Sequence, residues 1–314
     1  MQVIAAMSTP QKTLFPKNGQ RHFQLNADTL SRPASLVLVL LSGLLWSVGG
    51  VLIRLVEDAS GWQIIFYRSV TQTLVLLIAM TFIGTGSLPG RFLGIGRYGA
   101  AASFFLALAF IAFVFSILAT DVANTLLILA TVPFISALLG FVLLREKPSR
   151  STIAGAVVAT TGVAIMVGEG FSAGFVQGDL IAIFGAFCFA SYIVFMRGGR
   201  ATDMLPANAV AGIASAIAAA LLMGSSSISW YDFSLCIALG VFQTGLGLVT
   251  FTLGSKQLKA SELALLSLIH VILGPVWVLL LVGEIPATNV VIGGAVVLGA
   301  ISVPAALQLR RQGQ

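Results

Sequence analysis

The chain has 314 residues, 58% of them hydrophobic and 9% charged, where a soluble domain averages roughly 45–50% apolar and about 25% charged. So few charges cannot cover a water-soluble globule without leaving large contiguous apolar patches in water, and the lipid bilayer is the expected solvent. The net charge of +6 does not point to nucleic acid, because the basic residues lie singly along the chain rather than in a patch or stripe.

Residues 1–32 form a polar tail with Pro10, Lys12, Pro16, Lys17, Asn18 and Gly19, and the opening MQVIAAM is shorter than the apolar core of a signal peptide. The tail is expected to be a flexible cytoplasmic extension. A membrane-spanning helix needs about 20 mostly apolar residues. Ten uncharged runs meet that need: 33–53, 69–90, 98–120, 122–144, 151–168, 180–196, 204–231, 233–255, 263–283 and 285–309. They lack the alternation of a barrel strand, and a helix satisfies its own backbone in lipid. The expected fold class is therefore an all-α integral membrane protein with ten transmembrane helices. Residues 310–314 are read as a cytoplasmic C-terminus. Cys188 and Cys236 fall inside predicted helices, where thiols act as small hydrophobes.

Short cytoplasmic loops are enriched in Lys and Arg. With the N-terminus inside, every Lys and Arg except Arg54 and Arg68 falls on the cytoplasmic side, while Glu57, Asp58, Asp121, Glu169, Asp179, Asp232 and Glu284 collect outside. Both termini are thus expected in the cytoplasm of a multi-pass plasma membrane protein, with a bacterial inner membrane as the expected location. Trp62 and the Trp230–Tyr231 pair stand at outer helix ends, as interfacial aromatics do.

The second half of the chain repeats the first. Ala123-Asn124 through Glu146-Lys147-Pro148 to Gly155-Ala156-Val157-Val158 recurs as Ala260-Ser261 through Glu284-Ile285-Pro286 to Gly294-Ala295-Val296-Val297. Each copy has an interior proline, Pro133 or Pro275. The repeats are read as 33–168 and 178–309, with five helices in each. An odd number inverts the second copy in the membrane, an arrangement on which secondary transporters are built.

These residues carry a family resemblance. The Phe66-Tyr67-Arg68 opening of the second span, the Ala-rich fourth span with Pro133 ending in Arg145-Glu146-Lys147-Pro148, and the counterpart Gly274-Pro275-Val276-Trp277 with Gly283-Glu284-Ile285-Pro286 resemble the EamA-type drug/metabolite transporters. The resemblance covers about 33–309. It implies a bundle around a central cavity lined by the first, third, fourth, sixth, eighth and ninth spans, with export or exchange of small metabolites. Among proteins of this pattern are amino-acid exporters, including exporters of aromatic amino acids.

Ionisable groups at membrane depth default to functional candidates. His270 lies near the middle of the ninth run, with Ser267 and Gly274 on the same helical face. It is read either as a cavity-facing group or as a neutral imidazole bonded between helices. Arg68, about a turn and a half inside the outer end of the second helix, either meets a substrate carboxylate or snorkels outward to Glu57 or Asp58. Trp46, Gln72, Tyr192 and Gln243 sit at mid-depth with polar ends that need partners. Ser47, Ser191 and Thr244 are expected to bond their own backbone. Asn124 is read as a helix cap or a gate, and Pro133 and Pro275 as kinks suited to gating.

No G-x-x-x-x-G-K-[ST], HExxH or cysteine cluster occurs, so neither nucleotide-driven pumping nor metalloprotease chemistry is expected of this chain. No cofactor and no metal are anticipated. With no Asp or Glu deep in a run, facilitated diffusion or exchange is expected, and His270 is the midplane candidate for proton coupling. The expected partners are a small-molecule substrate and the lipid bilayer, with the protein a monomer or a homodimer and no nucleic acid bound. The function anticipated is alternating-access transport of small metabolites, foremost amino acids. The alternatives are a carrier for nucleobases, sugars or cationic drugs, a channel, or an intramembrane enzyme.

Overall fold

A computed structural model describes residues 31–84, 86–145, 150–173, 176–199, 202–255, 260–288 and 290–300. Residues 1–30 of the expected N-terminal tail, the Glu146-Lys147-Pro148 turn and the C-terminus at 310–314 lie outside the described residues, while Ser31 and Arg32, expected in the tail, cap and open α1.

The regular elements are helices: α1 (Arg32–Ser47), α2 (Gly49–Arg54), α3 (Gly61–Phe82), α4 (Leu88–Leu93), α5 (Gly96–Ala119), α6 (Val122–Leu129), α7 (Val132–Leu144), α8 (Arg150–Ala173), α9 (Val176–Gly198), α10 (Leu205–Leu222) and α11 (Trp230–Ala238). A π-helical segment (Leu239–Leu246), α12 (Gly247–Ser255) and α13 (Ala260–Leu281) follow, and α14 (Val290–Ala300) ends the described chain. Among the described residues, 7 stretches are long and apolar enough to cross a membrane: Arg32–Arg54, Gly61–Phe82, Gly96–Ala119, Val122–Leu144, Val176–Gly198, Leu205–Leu222 and Trp230–Ser255. Shorter apolar helices cover Ile153–Ile165, Ile269–Leu281 and Val290–Ala300.

Local chemistry sets the helix starts. Ser31 accepts from the Ala34 N–H with Pro33 in the first turn of α1. Ser60 and Gln63 form a reciprocal capping box at α3, which satisfies two N–H groups that a helix N-terminus otherwise leaves unpaired. Ser229 accepts from the Asp232 N–H at α11 at 3.1 Å.

Three spans that read as continuous runs are interrupted. The first breaks at Val48, between α1 and α2. The fourth breaks at Ala130–Thr131, and Pro133 opens α7 rather than kinking one long helix, because proline has no N–H to give and suits a first turn. The eighth widens into the π-helical segment. Pro275, by contrast, lies inside a continuous α13, so the two prolines do not act alike.

α5 packs along α9, α3 along α10, and α1 against α12 and α13. Small residues let the backbones approach: a Cβ on Gly240 would lie 2.6 Å from the Arg68 carbonyl, and one on Gly162 would lie 2.7 Å from the Gly293 carbonyl. Large side chains such as Leu74, Ile78, Phe82, Leu138 and Val142 point outward, and a bilayer supplies the apolar surroundings they need.

The two ends of the bundle are tied by different charges. At one end Arg54 Nε pairs with Glu284 at 2.9 Å, Arg54 Nη2 donates to the Thr120 carbonyl at 2.6 Å, and Glu284 accepts from the Val122 N–H at 2.8 Å. At that end the Asp232 carboxylate accepts from the N–H groups of Glu57, Asp58 and Ala59 at 2.9, 3.0 and 3.0 Å. At the other end Arg91 Nε donates to Asp203 at 2.7 Å and Arg91 Nη1 to the Ile83 carbonyl at 2.8 Å.

Asp232 is fully buried, so its three N–H partners replace water for the carboxylate. Asp232→Ala would strand those three amides. It is expected to lower stability by about 3 kcal/mol, since hydrogen bonds to charged groups contribute about 1.5–3 kcal/mol each and do not add fully. Thermal unfolding in detergent checks this.

Candidate functional site

The site is built from residues of α1, α3, α9, α10, α12 and α13. Trp46, two residues before the break at Val48, meets Phe251 of α12 with ring centroids 5.0 Å apart, Phe189 of α9 edge-on at 6.1 Å, and His270 of α13 edge-on at 5.9 Å. Phe189 in turn stacks on Tyr192 at 5.6 Å. Edge-to-face and offset pairs are the favoured aromatic geometries, and this set leaves Trp46 partly exposed at its centre. The approach to Trp46 is close on one side, where a Cβ on Gly247 would fall 2.4 Å from Trp46 Nε1.

A buried polar chain adjoins the aromatic set. Tyr192 Oη donates to Asn208 Oδ1 at 3.0 Å, and Asn208 Nδ2 donates to Thr252 Oγ1 at 3.1 Å. Gln72 Nε2 donates to the Asn208 carbonyl at 3.4 Å. Tyr192, Asn208 and Gln72 are each 0% exposed, so these bonds are their substitute for water. Gln72 Oε1 and Gln243 Oε1 are buried and have no hydrogen-bond partner, two acceptors turned into the interior without a donor.

Arg68 lies one helical turn before Gln72 on α3. It does not snorkel to Glu57 or Asp58, the alternative the sequence left open. Its side chain is 0% exposed, Nη2 donates to the Phe110 carbonyl at 3.0 Å, and the guanidinium lies 5.1 Å from the Phe110 ring centroid. Nε and Nη1 have no hydrogen-bond partner. The Phe110 ring offsets part of the cost of burying the charge, and no carboxylate among the described residues pairs with it.

Of the residues singled out from the sequence, Trp46, Tyr192 and His270 thus converge, with Gln72 joined through Asn208. Gln243, on the π-helical segment, packs against Gly49 just beyond the Val48 break. The Ser267 side chain lies outside the described residues. Ser47, Ser191 and Thr244 do bond their own backbone, at 2.7, 2.8 and 3.2 Å; Ser47 also accepts from Trp277 Nε1 at 3.0 Å, tying α1 to α13.

Asn124 stands apart, at the Arg54 end. Asp121, not Asn124, holds the cap position of α6. Asn124 Nδ2 donates to Asp179 Oδ1 and to Thr120 Oγ1. Asp179 begins its helix as expected, yet it is fully buried. A 260 Å³ recess at the opposite end is lined by Arg97, Tyr98, Leu143, Leu144, Val194 and Phe195, none of them a residue singled out from the sequence.

Asn208 and Thr252 were missed. Asn208 is a lone amide within the uncharged run 204–231, and the rule that selected Gln72 selects it equally. Thr252 carries no such signal, because a single threonine in a membrane helix ordinarily bonds its own backbone.

A multi-pass helical bundle with an aromatic and polar interior is the architecture of a membrane transporter. The chain belongs to the EamA-like transporter family, whose pattern it matches twice, over residues 33–168 and 176–303. It is 25% identical over 293 residues to human "Solute carrier family 35 member G1", an alignment covering 87% of this chain and 79% of that protein. A solved crystal structure shares the fold with a TM-score of 0.64 and 18% identity, covering 90% of this chain and 100% of that one. The protein is a multi-pass membrane protein of a class that moves small solutes by secondary transport.

Proposed function

We propose that the chain is an alternating-access carrier of small amphipathic metabolites, foremost amino acids including aromatic ones, working by export or exchange. The observation that carries this is the convergence of Trp46, from the first family match, with Phe189, Phe251 and His270, from the second, beside the Tyr192–Asn208–Thr252 chain. A planar side chain stacks on such rings. The uncompensated charge of Arg68, with two donor nitrogens, Nε and Nη1, unpaired, suits a carboxylate, because a bidentate guanidinium–carboxylate pair is among the stronger hydrogen-bonded contacts. The same charge repels a cationic drug.

Alternating access follows from two matched repeats inverted across the membrane, ten spanning helices in all. The ties at the bundle ends support that inversion. α1 and α2 run toward the end that holds Arg54 and Glu284, whereas α9 starts at that end, at Asp179, and finishes beside Tyr98 at the other. The Arg91 and Arg97 end is then cytoplasmic and both termini lie inside.

Substrate class is tested by thermal unfolding of the purified protein with aromatic amino acids, nucleobases, sugars and organic cations. A ligand at about 100 times its Kd adds about 2.7 kcal/mol to folding stability. Stabilisation by aromatic amino acids, absent in Trp46→Ala, is expected; stabilisation that Trp46→Ala retains places the ligand elsewhere.

A further inference from the structure

Among the described residues, the carboxylate of Asp179 is, with that of Asp232, one of two fully buried acids at the Arg54 end, and nothing in the substrate site uses it. It is 0% exposed. Oδ1 accepts from Asn124 Nδ2 and from Thr120 Oγ1, the latter at 3.0 Å. Oδ2 has no hydrogen-bond partner, and neither has Asn124 Oδ1, on a residue only 4% exposed. Two acceptors in one pair of buried side chains therefore both lack a donor.

The surroundings offer none. Ser116 Oγ is engaged with Thr125 Oγ1 at 2.8 Å and with the Gly178 carbonyl at 3.1 Å. Gly178 holds the first turn of α9 tightly to the end of α5, since a Cβ there would lie 2.7 Å from the Ala119 carbonyl. Among the charged groups facing Asp179, Asp121 at the α5–α6 junction adds a second negative charge. Arg54 of α2 is engaged by the Thr120 carbonyl and by Glu284. The nearest titratable group further along α9 is Cys188, and among the described side chains of α6 and of α8 none is an acid or base near this end.

Resting on the carrier reading above, we infer that Asp179 is a proton-binding site through which the transport cycle is coupled to proton movement. A proton from the aqueous phase adds to Oδ2 and forms one O–H bond, with no other bond changed. It neutralises a carboxylate that burial disfavours and supplies the donor that the Asp179–Asn124 pair lacks. Release reverses the step. The position gives this a lever: Thr120 and Asn124 belong to the first family match and Asp179 to the second, so the proton binds where the two halves of the chain meet.

An infrared pH titration of the purified protein tests the site without a substrate. The wild type should show a protonated-carboxyl C=O band that grows as pH falls, and D179N should lack it. Asn124→Leu keeps the acid and serves where D179N does not fold; it should shift the midpoint by about one pH unit, a tenfold change in proton affinity. A spectrum identical in wild type and D179N, or an unshifted midpoint in Asn124→Leu, overturns the site. In proteoliposomes, an imposed pH gradient should drive L-phenylalanine accumulation by the wild type and not by D179N. Accumulation driven by a sodium gradient at clamped pH, or equal accumulation by D179N, overturns proton coupling. Absence of any phenylalanine counterflow in the wild type strikes the carrier reading instead, and the infrared band still decides the site.

Discussion

Arg68→Met is expected to leave the protein as stable as the wild type or more so, and to lower transport about 10- to 100-fold. A buried charge whose Nε and Nη1 lack partners is a net burden on folding, and apolar residues of similar volume in such places are often neutral or stabilising. A hydrogen bond from a charged donor to substrate contributes about 1.5–3 kcal/mol, and about 1.4 kcal/mol is tenfold in affinity. Transport must fall while the unfolding temperature holds or rises. If Arg68 were a structural element, methionine would lower the unfolding temperature and activity together. Melting curves in detergent alongside initial uptake rates in proteoliposomes distinguish these outcomes.

Asn208→Ala is expected to lower stability by about 2–4 kcal/mol and to abolish measurable transport. Asn208 joins α9 to α12, accepting from Tyr192 Oη and donating to Thr252 Oγ1. Its loss leaves a 0% exposed phenol without a partner, and an unsatisfied buried group costs about 1–3 kcal/mol. Removing the partner as well relieves that cost. The double variant Tyr192→Phe with Asn208→Leu should therefore melt at a higher temperature than Asn208→Ala while remaining inactive. A double variant that melts no higher shows that the polar chain is not what Asn208 supports.

The 7 described spans were legible because charge punctuates this sequence so sparsely: lipid excludes charged residues, so the distance from one charge to the next approximates a helix. The same logic is blind to what happens inside an uncharged run. The breaks at Val48 and at Ala130–Thr131, and the π-helical segment around Gln243, change backbone geometry without changing hydropathy. They also lie beside residues singled out as candidates, since Trp46 precedes one break and the π-helical segment carries Gln243. Pro133 and Pro275 look equivalent in the repeat, yet one begins a helix and the other sits within one; neighbouring backbone decides which.

Of the candidate residues that converge, Trp46 and Tyr192 were singled out by polar ends that need a partner at mid-depth, and His270 as an ionisable group at membrane depth. Their grouping was not, because it depends on Phe189 and Phe251, two of 21 phenylalanines that sequence cannot tell from packing residues. Asp179 illustrates the converse. The sequence places it among the outer-side acids just before an uncharged run, and the approach of Thr120 and Asn124, more than 50 residues earlier, helps to withdraw it from water. The expectation of facilitated diffusion or exchange rested on finding no acid deep within a run, a rule that does not address an acid buried by a neighbouring helix.

Counterflow tests the central claim most directly. Proteoliposomes loaded with unlabelled L-phenylalanine and diluted into a trace of labelled L-phenylalanine should accumulate label transiently above its equilibrium level, with an initial rate that saturates in substrate. An alternating-access carrier must behave so, because outward movement of unlabelled substrate returns the site to face the label. Label that rises monotonically to equilibrium, at a rate linear in concentration and indifferent to the internal load, describes a channel and contradicts the account.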